Sequence, residues 1–410
     1  MHIHKPDFAK LRLDFPMLRK TMHGHPLIYF DSAATAQKPQ SVIDVITDFY
    51  TNHYGTVHRA VYELATYATH EYQLARTKVQ AFINAEDAEE IIFTRGTTDA
   101  INLVANSFGR AFIKAGDEVL ISAMEHHANI VPWQFVCDQF GATLKVIPVN
   151  EQGELLIDDY KQLLSDKTKI VAVTHVSNAL GTINPIKELA RLAHDAGAKI
   201  LVDGAQGAPH MPLDVRDLDV DFYAFSGHKL CGPTGVGVLY GKRDLLEIMP
   251  PYQGGGDMID TVTFIKTTYN DLPLKFEAGT PMIAEVLGLG AAIDYLTGIG
   301  LSEIERYEHS LLLHATEKLQ SIPGLTVVGN APKKGAIISF TMEGIHPLDL
   351  GTMLDLKGVA IRTGRHCAQP ILELYNIPAT ARASLAFYNT KTEIDAFAKI
   401  LLEIIALLRG

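Results

Sequence analysis

The stretch Asp221-Phe222-Tyr223-Ala224-Phe225-Ser226-Gly227-His228-Lys229-Leu230-Cys231-Gly232-Pro233 decides how this chain is read. Residues 222–225 form an apolar run of the kind that makes a buried strand. The run ends in a polar tip carrying Ser226, His228 and Lys229. A glycine-rich return, Gly232-Pro233-Thr234-Gly235-Val236-Gly237, leads into a second strand over 236–240. A lysine held at the end of a buried strand loses solvation, which lowers its pKa and makes its amine a nucleophile toward a carbonyl. A surface lysine on a hairpin turn is the plainer alternative, and the flanking Ser226, His228 and glycines weigh against it.

Upstream, short apolar runs at 91–94, 119–122, 144–149, 170–174 and 200–203 alternate with helical segments at 98–114, 128–140, 157–164 and 186–196. That rhythm predicts an α/β fold with a mainly parallel sheet covered by helices on both faces. Ligands of such sheets bind beyond the carboxyl ends of the strands. The polar residues just past each run are therefore expected on one rim: Thr97 and Thr98, Glu125 and His126, His175 to Asn178, Asp203 and Gln206, and Ser226 to Lys229.

The flanks read differently. A short helix is expected over 8–13 within an N-terminal arm, residues 1–24. Ser41 is expected to cap a helix reaching 53, a loop over 54–60 carries His58 and Arg59, and a helix follows over 68–83. Past Pro250 strict alternation stops. A loop with Gly254, Gly255 and Gly256 precedes Phe276-Glu277-Ala278-Gly279-Thr280-Pro281 and helices over 282–296 and 302–319. These features divide the chain into the arm (1–24, packing with the small domain), a large domain (25–290) and a smaller α+β domain (291–410).

Composition narrows the function. With 36 Lys and Arg against 47 Asp and Glu, the 410 residues carry a net charge of −11. No basic footprint for nucleic acid or an anionic membrane is present. No apolar run approaches a membrane span, and the N-terminus lacks a secretory pattern. Cys137, Cys231 and Cys367 are the only cysteines, too few and too scattered for a disulfide framework or a CxxC zinc site. The expectation is a cytoplasmic protein that binds no structural metal.

Several residues carry chemistry. Thr97 and Thr98 open a helix after Gly96, an arrangement suited to phosphate or to simple capping. Ser226 and His228 would complete such a cup. Asp203 ends an aliphatic strand, where a carboxylate needs a partner; facing a pyridine nitrogen, it would keep that nitrogen protonated. Gln206 offers an amide to a ring hydroxyl. His126 can stack on a planar ring and work as acid or base. Adjacent His126 and His127 lack a third ligand, which argues against a metal. The Gly232–Gly237 run lies between two strands and opens no helix, so it fails as a dinucleotide loop. Cys367 follows a strand in a polar loop with Arg365 and His366 beside it, and nearby positive charge favours a reactive thiolate. Arg382 could clamp a carboxylate.

Taken together, Ser226-Gly-His-Lys229, Asp203-Gly-Ala-Gln206, Glu125-His-His-Ala-Asn129, Thr174-His-Val-Ser-Asn178 and the Arg362-Thr-Gly-x-His-Cys367 segment resemble the cysteine desulfurases of the class V aminotransferase family, in their group II, SufS/CsdA-like branch. The resemblance runs over nearly the whole chain. It implies a fold-type I transferase dependent on pyridoxal 5'-phosphate. Lys229 would bind the cofactor covalently and later move protons. Thr97, Thr98, Ser226 and His228 would hold its phosphate, with Thr280 reaching in from a homodimer partner. Asp203 would pair with the ring nitrogen, Gln206 and Asn178 would touch the ring and its oxygen, and His126 would stack on it. Asn178 and Arg382 would bind the carboxylate of L-cysteine. The Cys367 thiolate would take the sulfur as a persulfide, leaving alanine. An acceptor protein (SufE- or SufU-like) would then carry sulfur toward iron–sulfur cluster assembly. Selenocysteine lyase, another β-lyase, or a silent sulfur-relay partner on the same fold are the alternatives. Arg365, Asp99 and Met282 depart from the branch's usual residues.

Overall fold

Seven strands carry the site: β1 (Ile91–Thr94), β2 (Glu118–Ser122), β3 (Thr143–Ile147), β4 (Thr168–Thr174), β5 (Lys199–Asp203), β6 (Phe222–Ser226) and β7 (Gly237–Gly241). They form one sheet in the order β1-β7-β6-β5-β4-β2-β3. Only β7 runs against its neighbours, pairing antiparallel with both β1 and β6. The other pairings are parallel. Residues Val171, Val173, Leu201, Val202 and Phe222 to Phe225 lie inside the protein because helices cover both faces. Continuous apolar runs rather than alternation are what that burial requires. The computed structural model describes residues 6–58 and 60–409, so residues 1–5 of the expected arm and Arg59 of the expected loop lie outside the described residues.

Glycine closes the sheet at its ligand end. A Cβ on Gly237 would stand 2.4 Å from the Gly96 Cα, so β7 and the turn after β1 approach more closely than a side chain permits. Gly96 itself has φ 150°, a conformation open chiefly to glycine. These two residues bring the Arg95–Thr97 turn beside Ser226.

The second sheet is antiparallel: β8 (Leu325–Val328), β9 (Ile337–Met342), β10 (Arg362–Gly364) and β11 (Thr380–Ser384), in the order β8-β9-β11-β10. Its register sets Arg362 directly opposite Arg382. Helices Leu301–Gln320 and Lys391–Arg409 cover it through Leu311, Leu312, Phe397, Leu401 and Ile404. The apolar spacing of the last helix puts these side chains on one face.

Residue 291, where the sequence suggests a division, falls inside the helix Ile283–Ile299. That helix is apolar apart from Glu285, Asp294 and Thr297, and its Val286, Leu289, Ile293 and Leu296 share a core with Tyr72 and Val79 of the helix Glu63–Ile83. The chain turns at Gly300 (φ 94°), and the next helix leaves at 75° to the first. The N-terminal arm bridges both bodies. Phe8 stacks on Tyr307 at 4.0 Å, Arg12 pairs with Glu393 at 2.7 Å, and Phe15 packs against Tyr295 and Tyr388. Further on, Ile28–Tyr29 pairs in parallel with Val359–Ala360 at the edge of the smaller body.

Two local expectations are corrected. The helix expected from Ser41 starts at Gln40 after Pro39, so Ser41 lies within the first turn and does not cap it. The helix expected over 128–140 splits into a 3-10 turn, His127–Asn129, and a helix, Val131–Phe140. Asn129 is committed elsewhere, donating to Glu125 Oε2 at 2.7 Å and accepting from Trp133 Nε1 at 3.0 Å. Among the described residues no single helix is long and apolar enough to cross a membrane.

Candidate active site

A cavity of about 190 Å³ opens beyond the carboxyl ends of β4, β5 and β6, between the two bodies. Ten of the residues singled out from the sequence line it: Thr97, Thr98, His126, Asn178, Asp203, Gln206, Ser226, His228, Lys229 and Arg382. They come from six separate segments: the large sheet brings five of them to one rim, and Arg382 comes from β11 of the second sheet.

Lys229 closes the 3-10 turn Gly227–Lys229 that follows β6. The preceding peptide is pinned: the His228 carbonyl accepts from Ala36 N at 3.0 Å and from Lys38 Nζ at 2.9 Å. Burial pushes the Lys229 amine down to about 8, against the pull of Asp203 and with help from Arg382 and Arg362. An amine this close to neutral is a usable nucleophile.

Asp203 is buried, accepts from Ala205 N at 3.0 Å, and has its carboxyl raised by that burial while Lys229 lowers it. Gln206 donates to the Ala33 carbonyl at 2.6 Å, and its Oε1 is buried without a partner. An orphaned acceptor in a cavity wall calls for a donor from a ligand. At the other end, Thr97 N–H donates to Ser226 Oγ at 2.8 Å and the two hydroxyls share a hydrogen bond of 2.7 Å, at the first turn of the helix Thr97–Phe112. Thr98, Ser226 and His228 face the same space. A flat ring with a hydrogen-bonding edge and an attached anion, the shape of pyridoxal phosphate, fits this donor set.

His126 is fixed in orientation: its Nδ1 accepts from Ala128 N at 3.0 Å, which leaves the proton on Nε2. Burial and the nearby Lys229 push it down to about 4, so it stands neutral at physiological pH. Beneath it lies a group the sequence reading gave no role. Glu125 is fully buried and bonded to Ser122 Oγ, Asn129 Nδ2 (2.7 Å) and Thr174 N (2.8 Å). It ties the loop after β2 to the end of β4. The signal was a carboxylate three residues past an apolar strand, close to the signal that picked out Asp203 at the end of its own strand.

The cysteine loop comes from the smaller body. Cys367 is half-buried at the mouth and is not a lining residue of the cavity. His366 and Cys367 both have positive φ, 51° and 55°, a strained pair for residues other than glycine. The loop is held from the large body. His127 N donates to the Cys367 carbonyl at 2.8 Å, and Asn178 Nδ2 donates to the His366 carbonyl at 2.7 Å.

The positive charge beside the thiol is not the one expected. His366 bonds Thr380 Oγ1 at 2.7 Å and is pushed down to about 3 by burial, so it is neutral. Arg365 is engaged with the Pro378 carbonyl and lies 3.9 Å from Glu373. The guanidinium that meets the sulfur is Arg362's, with Nη2 at 3.7 Å from Sγ. Its neighbour across the strand, Arg382, is 1 % exposed, donates to the Asn178 carbonyl at 2.9 Å and pairs with Asp31 at 3.1 Å. Thr280 stands apart, exposed on the loop before the helix Ile283–Ile299, beside a second cavity that Tyr72, Arg95 and Tyr252 also line.

Comparison with known proteins adds a family. A model described as Aminotransferase class-V matches residues 28–397. A cysteine desulfurase of Synechococcus elongatus is 52% identical over 96% of this chain, which spans 63% of that relative's length. A probable cysteine desulfurase of Halalkalibacterium halodurans is 54% identical, with 94% of this chain and 95% of the relative aligned. Among solved structures, the cysteine desulfurase CsdA of Escherichia coli, in its S-sulfonic acid form, superposes with a TM-score of 0.91 at 40% identity, over 98% of this chain and all of that one.

Proposed function

The chain belongs to the class-V aminotransferase family, and on that premise we propose that it is a cysteine desulfurase dependent on pyridoxal phosphate. It converts L-cysteine to L-alanine and keeps the sulfur as a persulfide on Cys367, supplying iron–sulfur cluster assembly. The observation that carries this reading is the meeting of two elements. A lysine on the floor of the cavity and a thiol in contact with Arg362 at its mouth belong to different bodies, and Asn178 ties them together.

Thr97, Thr98, Ser226 and His228 would hold the cofactor's phosphate, Asp203 its ring nitrogen, Gln206 its ring oxygen, and Lys229 its aldehyde carbon. When bound, the cofactor supplies an electron sink for carbanion chemistry next to the amino group. The rest falls to this chain's own side chains. Arg382, fixed by Asp31 and the Asn178 carbonyl, presents its remaining N–H groups to the substrate carboxylate. The Cys367 thiolate attacks the substrate sulfur: an S–S bond forms and the C–S bond breaks. The electron pair left on carbon is matched by a proton, giving alanine. His126, neutral by burial, and the Lys229 amine, brought down to about 8 and so able to gain or lose a proton near neutral pH, are the groups placed to move that proton.

Thr280 of a second copy would complete the phosphate cup in a homodimer, which its exposure in this chain supports. An acceptor protein would collect sulfur at the exposed side of the Cys367 loop, in the cytoplasm.

Mass spectrometry after incubation with L-cysteine tests the reading. The expected result is one added sulfur on the peptide bearing Cys367, absent in Cys367→Ser. Alanine production that continues unchanged in Cys367→Ser would sink the persulfide route.

A further inference from the structure

One residue of the large body holds the chain just after Cys367 at two points. The His127 N–H donates to the Cys367 carbonyl at 2.8 Å, and His127 Nε2 accepts from the Gln369 N–H at 3.1 Å. Gln369 opens the helix Gln369–Leu374. The first N–H groups of a helix have no acceptor within it. The His127 imidazole supplies one from a distant part of the chain, and its neutral ring then carries the proton on Nδ1. His126, one residue earlier, holds the opposite tautomer because its Nδ1 accepts from Ala128 N. His126 lines the cavity and His127 does not.

The turn bearing both histidines is anchored at each end. Glu125 ties its start to Thr174 N, and Asn129 ties its end to Glu125 and Trp133. One side chain of the turn therefore faces the cavity while the next grips the cysteine loop. That loop needs a grip. His366 and Cys367 both keep positive φ, which residues other than glycine do only where their surroundings hold them. Asn178 Nδ2 holds the peptide before Cys367, and His127 holds the two peptides after it.

We propose that His127 is a positioning residue that caps the helix after Cys367 and so sets where the thiol stands when it takes the substrate sulfur. The inference rests on the desulfurase reading. In the step it serves, an S–S bond forms as the C–S bond breaks, and the electron pair stays with the substrate carbon. That attack needs the two sulfurs aligned, and a misplacement of about 1 Å can cost about a hundredfold in rate. Binding of the amino acid makes no use of His127. Losing the cap therefore slows sulfur transfer and leaves L-cysteine binding as it was.

The test compares His127→Leu, which fills space without an acceptor, with His127→Gln, whose Oε1 can take the Gln369 N–H. In the holoenzyme, single-turnover release of alanine should fall at least about tenfold in His127→Leu. L-cysteine binding, read by cofactor absorbance, should stay within about threefold of wild type. His127→Gln should recover alanine release to within about threefold. Amide hydrogen exchange needs no turnover: the Gln369 N–H should exchange about fivefold faster in His127→Leu and near the wild-type rate in His127→Gln. His127→Asn, polar but too short to reach Gln369, takes the place of His127→Leu if that variant does not fold. Equal losses of alanine release in the Leu and Gln variants, or binding that weakens as much as release slows, would overturn the proposal. So would faster exchange at Gln369 with alanine release unimpaired. Failure of the desulfurase reading is seen separately, as a wild-type enzyme that places no sulfur on Cys367.

Discussion

Lys229 has an amine whose protonation is decided by a contest between burial and Asp203, and burial wins. The cofactor-free enzyme should therefore take up pyridoxal phosphate at a rate that rises with pH up to about 8 and then levels off, because only the neutral amine attacks a carbonyl. Below that point the neutral fraction falls about tenfold per unit. Stopped-flow absorbance across this range reads the limb directly, and a rate independent of pH would contradict the depressed amine. Arg362 gives a second prediction at this scale. In Arg362→Gln the sulfur loses its guanidinium contact, and alkylation of Cys367 by iodoacetamide should slow by about tenfold. The corresponding change at Arg365, bound to Pro378 and beside Glu373, should leave alkylation close to wild type. The sequence pointed to Arg365 because it is two residues from the thiol. Arg362 is five residues away and reaches the sulfur only because His366 and Cys367 turn the loop back through positive φ, which no local propensity announces.

At the scale of elements, what could be read in advance was periodicity. The apolar runs of β4, β5 and β6 are legible because a strand buried on both faces leaves no room for alternation. The rim residues followed from them, since each lies just past the end of a run. The division of the chain was harder to read. The helix Ile283–Ile299 is apolar over most of its surface, so its sequence does not say which body it serves; packing against Glu63–Ile83 decides it. The same helical face explains a buried ion pair that composition hid. Arg76 reaches Glu277 through two contacts, 2.8 and 2.9 Å, while Phe93 N (2.7 Å) and Tyr72 OH (3.2 Å) also donate to that carboxylate. This pair anchors the loop that carries Thr280 to the edge strand β1. Arg76→Met would leave Glu277 buried without its counter-charge, at a cost of about 3–5 kcal/mol. Urea unfolding of the cofactor-free protein measures it. A loss below about 1 kcal/mol would mean the carboxylate escapes to water in the variant.

Across the whole molecule the site is assembled from two bodies of the chain. The large body supplies the lysine and the anion cup, and the smaller body supplies the thiol and both arginines. Thr280 is the residue this arrangement leaves over, exposed and away from the cup on its own chain. If it serves the cup of a second copy, the two sites of a homodimer each borrow from the other chain. Mixing two defective chains then has a definite outcome. Lys229→Ala cannot attach the cofactor, and Thr280→Ala binds it weakly in its own homodimer. In a mixed dimer, the Thr280→Ala chain keeps its own Lys229 and receives an intact Thr280 from the Lys229→Ala chain. That site is wild type in every residue. Refolding the two variants together should therefore restore tight cofactor retention, read by absorbance after dialysis, in the mixed dimer but in neither parent. Retention no better than that of Thr280→Ala alone would place Thr280 outside the cup.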